Sequence, residues 1–132
     1  MGTDTGINFI SISLTELDFR LNKKFKLPKD GISVDIGVKT KNVFSPDKKT
    51  LAVTLSAALF TKTKNPPFMM KVSIEGIFTG DSFNDLKKFS KVHAPAHLMP
   101  FIREIVGTTT MKAGIPPLLL PPMNLTALFE EK

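Results

Sequence analysis

The chain has no cysteine, no tryptophan and no tyrosine among its 132 residues. The lack of cysteine removes disulfides, thiolate nucleophiles and zinc–thiolate centres, and it suits a reducing compartment. Eleven phenylalanines therefore supply all of the large aromatic area, without a hydroxyl or indole N–H to satisfy. No apolar run approaches the ~20 residues that a membrane-spanning helix needs, because Pro or Thr interrupts the longest stretches. No basic-then-apolar leader opens the sequence, since Met1 to Thr5 are polar or acidic. A cytoplasmic protein with no membrane partner is the expectation.

Catalytic signatures are missing as well. There is no G-x-S-x-G elbow, no phosphate-cradling loop and no dinucleotide glycine pattern. The only histidines, His93 and His97, stand at the i, i+4 spacing of a helical metal pair. The glutamate of an H-E-x-x-H site is absent, however, and Pro95 lies between them. No enzyme, no cofactor and no metal are expected.

What is present is the composition of one folded soluble domain over residues 1–132, with 42% apolar and 23% charged residues. The formal charge of +6 raises a basic nucleic-acid adaptor as a rival reading. Its lysines are scattered along the chain rather than gathered beside stacking aromatics, which speaks against it.

The apolar pattern is that of strands followed by helices. Ile10, Ile12 and Leu14 alternate with polar residues, and Leu17, Phe19 and Leu21 resume in the opposite phase, which predicts one strand with a bulge at Thr15–Glu16. After a turn segment from Lys23 to Gly31, Ile32, Val34, Ile36 and Val38 mark the second strand. Ser45-Pro46-Asp47 turns the chain into Leu51, Val53, Leu55 and Ala57, and Asn65-Pro66-Pro67 leads to Met70, Val72 and Ile74. These three connected strands predict an antiparallel meander.

Ser82 is placed to cap a short helix from Phe83 to Phe89. A longer helix is predicted from about Pro100 to Ala113, ended by Gly114, with Ile102, Ile105 and Thr109 inward and Phe101 and Val106 beside them. Gly107 and Thr108 to Thr110 are weak helix formers, so this helix needs tertiary or subunit packing. Ile115 to Pro122 reads as an extended apolar segment, followed by an apolar stretch from Leu125 to Phe129. The expected fold class is α+β: a four-stranded antiparallel sheet followed by a short and a long helix.

From Pro95 to Phe129 the sequence resembles the carboxy-terminal half of SecB export chaperones. The likeness runs through Leu98, Pro100, Arg103, Glu104, Pro116, Leu118, Leu120, Pro122, Asn124 and Ala127-Leu128-Phe129. Phe68-Met69-Met70-Lys71-Val72 with Gly76-Ile77-Phe78 resembles the family's last strand, and Glu16 to Phe19 its first. The resemblance implies a holdase that binds unfolded client polypeptides in apolar grooves, and a dimer of dimers. It implies client contacts at Phe68, Met70, Phe101, Leu118, Leu120 and Phe129, and subunit contacts at Leu17, Phe19, Ile102, Ile105 and Thr109. Family members dock the SecA motor through acidic sheet-face residues and a carboxy-terminal tail. Here Arg20 and Lys71 stand where carboxylates are expected, Glu16 keeps one acid, and the sequence stops at Lys132, so docking of ordinary strength is not expected. Some SecB-like proteins instead guard an antitoxin, which is the alternative client.

Overall fold

The computed structural model describes residues 6–26 and 34–115. Four strands, β1 (Ile7–Leu21), β2 (Ile36–Phe44), β3 (Thr50–Leu59) and β4 (Phe68–Gly80), are followed by helices α1 (Phe83–Lys91) and α2 (His93–Lys112). The strands form one antiparallel sheet in the order β1-β4-β3-β2. The meander expected of the last three strands is present, and β1 adds beyond β4, which makes β4 a central strand.

In an antiparallel sheet, paired residues share a face, so the register defines rows across the sheet. On one face Thr40, Leu55, Ile74 and Leu14 form such a row, as do Val38, Ala57, Val72 and Leu17. Both helices cover this face. In β3 its residues are buried at every second position, and Leu51, Val53, Leu55, Val72, Leu86, Leu98, Ile102 and Val106 are wholly inaccessible. The other face carries no helix among the described residues.

Strand β1 contains the anticipated bulge, where the register skips from Leu14 to Glu16. The Thr15 hydroxyl donates to the Ser73 carbonyl at 3.1 Å, so the extra residue still bonds to the neighbouring strand. A second skip between Phe9 and Ser11 was not legible in the alternation. Together the two skips keep Phe9, Ile12, Leu14, Leu17 and Phe19 all on the helix-bearing face.

Three expectations need correction. Strand β2 begins at Ile36; Val34 lies outside it, and Ile32 lies outside the described residues. The reason is Asp35, whose carbonyl accepts from Phe60 N at 2.7 Å and whose carboxylate accepts from Lys62 N at 2.7 Å. The bond to Phe60 is still in ladder register, but Phe60 has a φ of 58°, so β3 turns away there and the Asp35 carboxylate ties the departing chain at Lys62.

Helix α2 starts at His93, not near Pro100. Pro95 sits in the first turn, where its missing N–H is not needed. Pro100 lies inside the helix, but it and Ala96 are both exposed, so the carbonyl it leaves without a donor faces solvent. The inward stripe is Leu98, Ile102, Val106 and Thr110, with Ile105 and Thr109 only half-buried at its flank. Thr110 fits a buried helical position because its hydroxyl donates to the Val106 carbonyl at 2.9 Å.

Helix α1 begins as expected: the Ser82 hydroxyl accepts from Asp85 N at 3.3 Å. Leu86 is fully buried, and the Phe78 and Phe89 rings meet edge-on at 5.0 Å.

Candidate functional site

The helices do not cover the whole of the sheet's apolar face. Helix α2 packs over β3 and β4, and a Cβ on Gly76 would lie 2.7 Å from the Leu98 side chain. A side chain larger than that of Gly76 would therefore collide with Leu98 under the helix. Beyond β4 the rows continue onto β1, where the cover given by the two helices is incomplete. Leu17 shares a row with Ala57 and Val72, yet it is 45% exposed, and Leu14, beside fully covered Leu55 and Ile74, is 52% exposed. Phe9 is 40% exposed.

The flank of α2 that turns toward β1 is identified by His97, whose ring meets Phe9 edge-on at 4.7 Å. Residues i+4 and i+8 continue that side of a helix, which gives Phe101, half-exposed, and Ile105, half-buried. An apolar trough thus runs beside α2, with Phe9, Leu14 and Leu17 on the strand side and Phe101 and Ile105 on the helix side. Monomeric proteins seldom leave a contiguous apolar surface of this kind uncovered. Among the described residues no further strand pairs with the outer edge of β1, whose outward backbone N–H and C=O groups make a template for pairing.

The trough's lining is apolar. Side chains of Leu, Ile and Phe supply burial without directionality, each contributing ~1.5–3 kcal/mol when fully covered. Of the two histidines, His97 lies against Phe9 and Phe78, and His93 stacks on Phe89. Among the described residues no group of three metal-binding side chains converges, and no helix is long and apolar enough to cross a membrane.

The expected contact residues divide sharply. Phe101, Leu17, Phe19 and Ile105 reach or border the trough. Phe68 and Met70, expected to meet clients, are core residues of β4 at 3% and 1% exposure, because β1 adds beyond them and the rings of Phe19 and Phe60 pack on Phe68. Ile102, expected between subunits, faces the chain's own sheet and is wholly inaccessible. Thr109 is half-buried on the helix flank. Leu118, Leu120 and Phe129 lie outside the described residues. Leu14 and Phe9, which β1 exposes on this same face, were not among the expected contact residues, although the alternation of β1 places an apolar side chain there.

Comparison with known proteins places this geometry. A family model described as SecB, preprotein translocase subunit SecB, matches residues 9–132. An uncharacterized protein of Methanocaldococcus jannaschii is 25% identical over 127 residues, covering 93% of this chain and 82% of its own. A protein-export protein SecB of Chromobacterium violaceum is 38% identical over 85 residues, which are 63% of this chain and 55% of that one, so the match spans about half of that relative. Among solved structures, a SecB-like chaperone of Mycobacterium tuberculosis, in complex with a ChAD peptide from the HigA1 antitoxin, superposes with a TM-score of 0.74 at 17% identity. The alignment covers 91% of this chain and 89% of that one. At this identity the superposition speaks for the fold.

Proposed function

The chain belongs to the SecB family, and from that premise we propose that it is a holdase: a chaperone that binds unfolded polypeptides through its apolar trough and catalyses no reaction. The observation that carries this reading is the half-covered sheet, in which rows buried at β3 and β4 run out to exposed Leu14 and Leu17. An unfolded chain presents apolar side chains in no fixed sequence. A trough without directional bonds accepts them, and several weak contacts sum by multivalency.

Self-assembly uses part of the same surface. Strand β1 is a long edge that tends to pair with another chain unless covered, and a second copy offers the same edge in a closed two-fold arrangement. A dimer built through β1 and the flank of α2, paired again into a tetramer, leaves the remaining apolar surface for clients.

A dedicated client is the second reading, favoured by the fold neighbour solved with an antitoxin peptide. It uses the same trough and differs only in client range. A toxin and antitoxin encoded beside this chain favour it, and their absence favours a general or export-linked client set.

Native mass spectrometry with and without a permanently unfolded client tests the proposal. The expected result is an even-numbered homo-oligomer that takes up unfolded client, ignores the folded form and retains binding in high salt. A monomer that binds neither form, or binding abolished by moderate salt, overturns it.

A further inference from the structure

The face of the sheet away from the helices holds a different feature. A cleft of about 520 Å³ crosses all four strands there. Its floor is made of small residues, Gly37, Ala58, Ser56 and Ser73, and Lys39, Lys62 and Lys71 stand around it. The register accounts for the shape: Lys39, Ser56, Ser73 and Glu16 form one row, and Gly37, Ala58, Lys71 and Asp18 the next. No side chain longer than serine stands on β3 in either row, so another backbone can approach the floor closely.

The acids of the cleft do not neutralise its lysines. Asp35 is held by Lys62 N at 2.7 Å and the Thr63 hydroxyl at 3.4 Å, which fixes the loop. Glu16 accepts from the Ser73 hydroxyl at 3.4 Å, and Ser73 is bonded to Ser56 Oγ at 2.8 Å. Among the described residues the one ion pair joins Arg20 to Asp18 at 3.6 Å. The ammonium groups of Lys39, Lys62 and Lys71 are left to solvent over a floor of hydroxyls and methyl groups.

We propose that this lysine-rimmed cleft docks an acidic, extended segment of a partner protein across the open face of the sheet. Lys39 and Lys71 lie two strands apart, about 10 Å in the hydrogen-bonding direction. An extended peptide carries carboxylates on one side at intervals of ~7 Å, so two or three of them span the lysines while the small floor receives the backbone. The adjoining row is Lys41, Thr54, Glu75 and Ser13, and the row beyond it, Val43, Ala52 and Ile77, is apolar, with Val43 53% exposed. A polypeptide has side chains to cover it. A nucleic-acid backbone does not, and none of the residues in these rows is an aromatic on which its bases could stack. This surface lies on the opposite side of the sheet from the apolar trough, so the two can be disabled separately.

The test uses the full chain and a fluorescent peptide of about twelve alternating Glu and Ser residues, long enough to cross the sheet, read by anisotropy at low and high salt. Binding that weakens with salt is expected. It should fall about tenfold or more in Lys39→Gln with Lys71→Gln, and in Lys62→Gln to a smaller extent. Lys91→Gln, at the end of α1, should stay within about twofold, and binding of unfolded client should be unchanged in all three. No measurable peptide binding overturns the proposal, as does an equal loss in Lys91→Gln. Tighter binding of duplex DNA through the same two lysines overturns it in favour of a phosphate-binding face. Loss of client binding with peptide binding intact counts against the holdase reading alone.

Discussion

Strands β3 and β1 carry the same kind of pattern and meet different fates. Each places an apolar side chain on the helix-bearing face at nearly every second position, and each lies one strand from Ile74 and Val72. In β3 these side chains are almost wholly inaccessible, whereas in β1 Leu14, Leu17 and Phe9 are about half exposed. The difference is cover, not composition: α2 lies over β3 and β4 and meets β1 at Phe9, through His97. A sequence pattern says which face seeks an apolar partner, and topology decides whether that partner is the same chain. At β1 no described element supplies it, and on the reading proposed above a second subunit or an unfolded client does.

The comparison breaks first on the covered side. Leu98→Ala removes the side chain that meets Gly76 under the helix, where Leu98 is fully buried. A loss of ~2–5 kcal/mol in unfolding free energy is expected, measured by urea denaturation, with binding lost only as the fold is lost. A stable variant with weakened client binding would mean that Leu98 belongs to the client surface, and the two regions would have to be redrawn.

The uncovered side should behave in the opposite way. Leu14→Ser with Leu17→Ser removes two half-exposed side chains from each subunit, or about 3 kcal/mol per dimer, roughly a hundredfold in dissociation constant. Sedimentation velocity should show smaller species with unchanged far-ultraviolet circular dichroism. If the oligomer persists while client binding falls, β1 serves clients and the subunits meet elsewhere.

Phe101 sharpens the division within the trough. Phe101→Ala should weaken unfolded-client binding about ten- to hundredfold, or ~1–3 kcal/mol, and leave assembly intact. Ile105→Ala, at the half-buried flank, should instead lower the thermal midpoint or loosen the oligomer. The reverse outcome would show that the faces of α2 have been assigned the wrong way round.

Much of this fold was legible in the sequence because its signals are local. The bulge at Thr15, the Ser82 cap and the meander from β2 to β4 follow from alternation and turn residues that lie within a few positions of one another. The start of β2 was not, because Asp35 answers to Phe60 and Lys62, far along the chain. The helix start was masked by two prolines whose cost depends on position in the helix and on solvent. Client and interface residues divided along the same line. Phe101 lies on an exposed helix flank, as a resemblance by position implies. Phe68 and Met70 fell into the core once β1 had joined beyond β4, and that pairing of distant strands leaves no mark on either segment.

The smallest expected effect lies at the β2–β3 turn, far from the trough, and it sets a baseline for a change that touches neither region. Asp47 accepts from the Ser45 hydroxyl at 2.6 Å and from Lys49 N at 3.1 Å. The Ser45 hydrogen bond, then that of Lys49, holds its carboxyl below the ordinary 3.8. A carboxyl lowered on folding stabilises the fold above its unfolded value, and that contribution is lost as pH falls through the folded value. Asp47→Asn keeps an acceptor oxygen and removes the charge, so the parent should hold a slight advantage in thermal midpoint at pH 7 that fades toward pH 2. The side chain is exposed, which keeps the effect small. A difference that does not change with pH would assign it to the shape of the amide rather than to the charge, and a change in client binding at either pH would show that the turn is not independent of the trough.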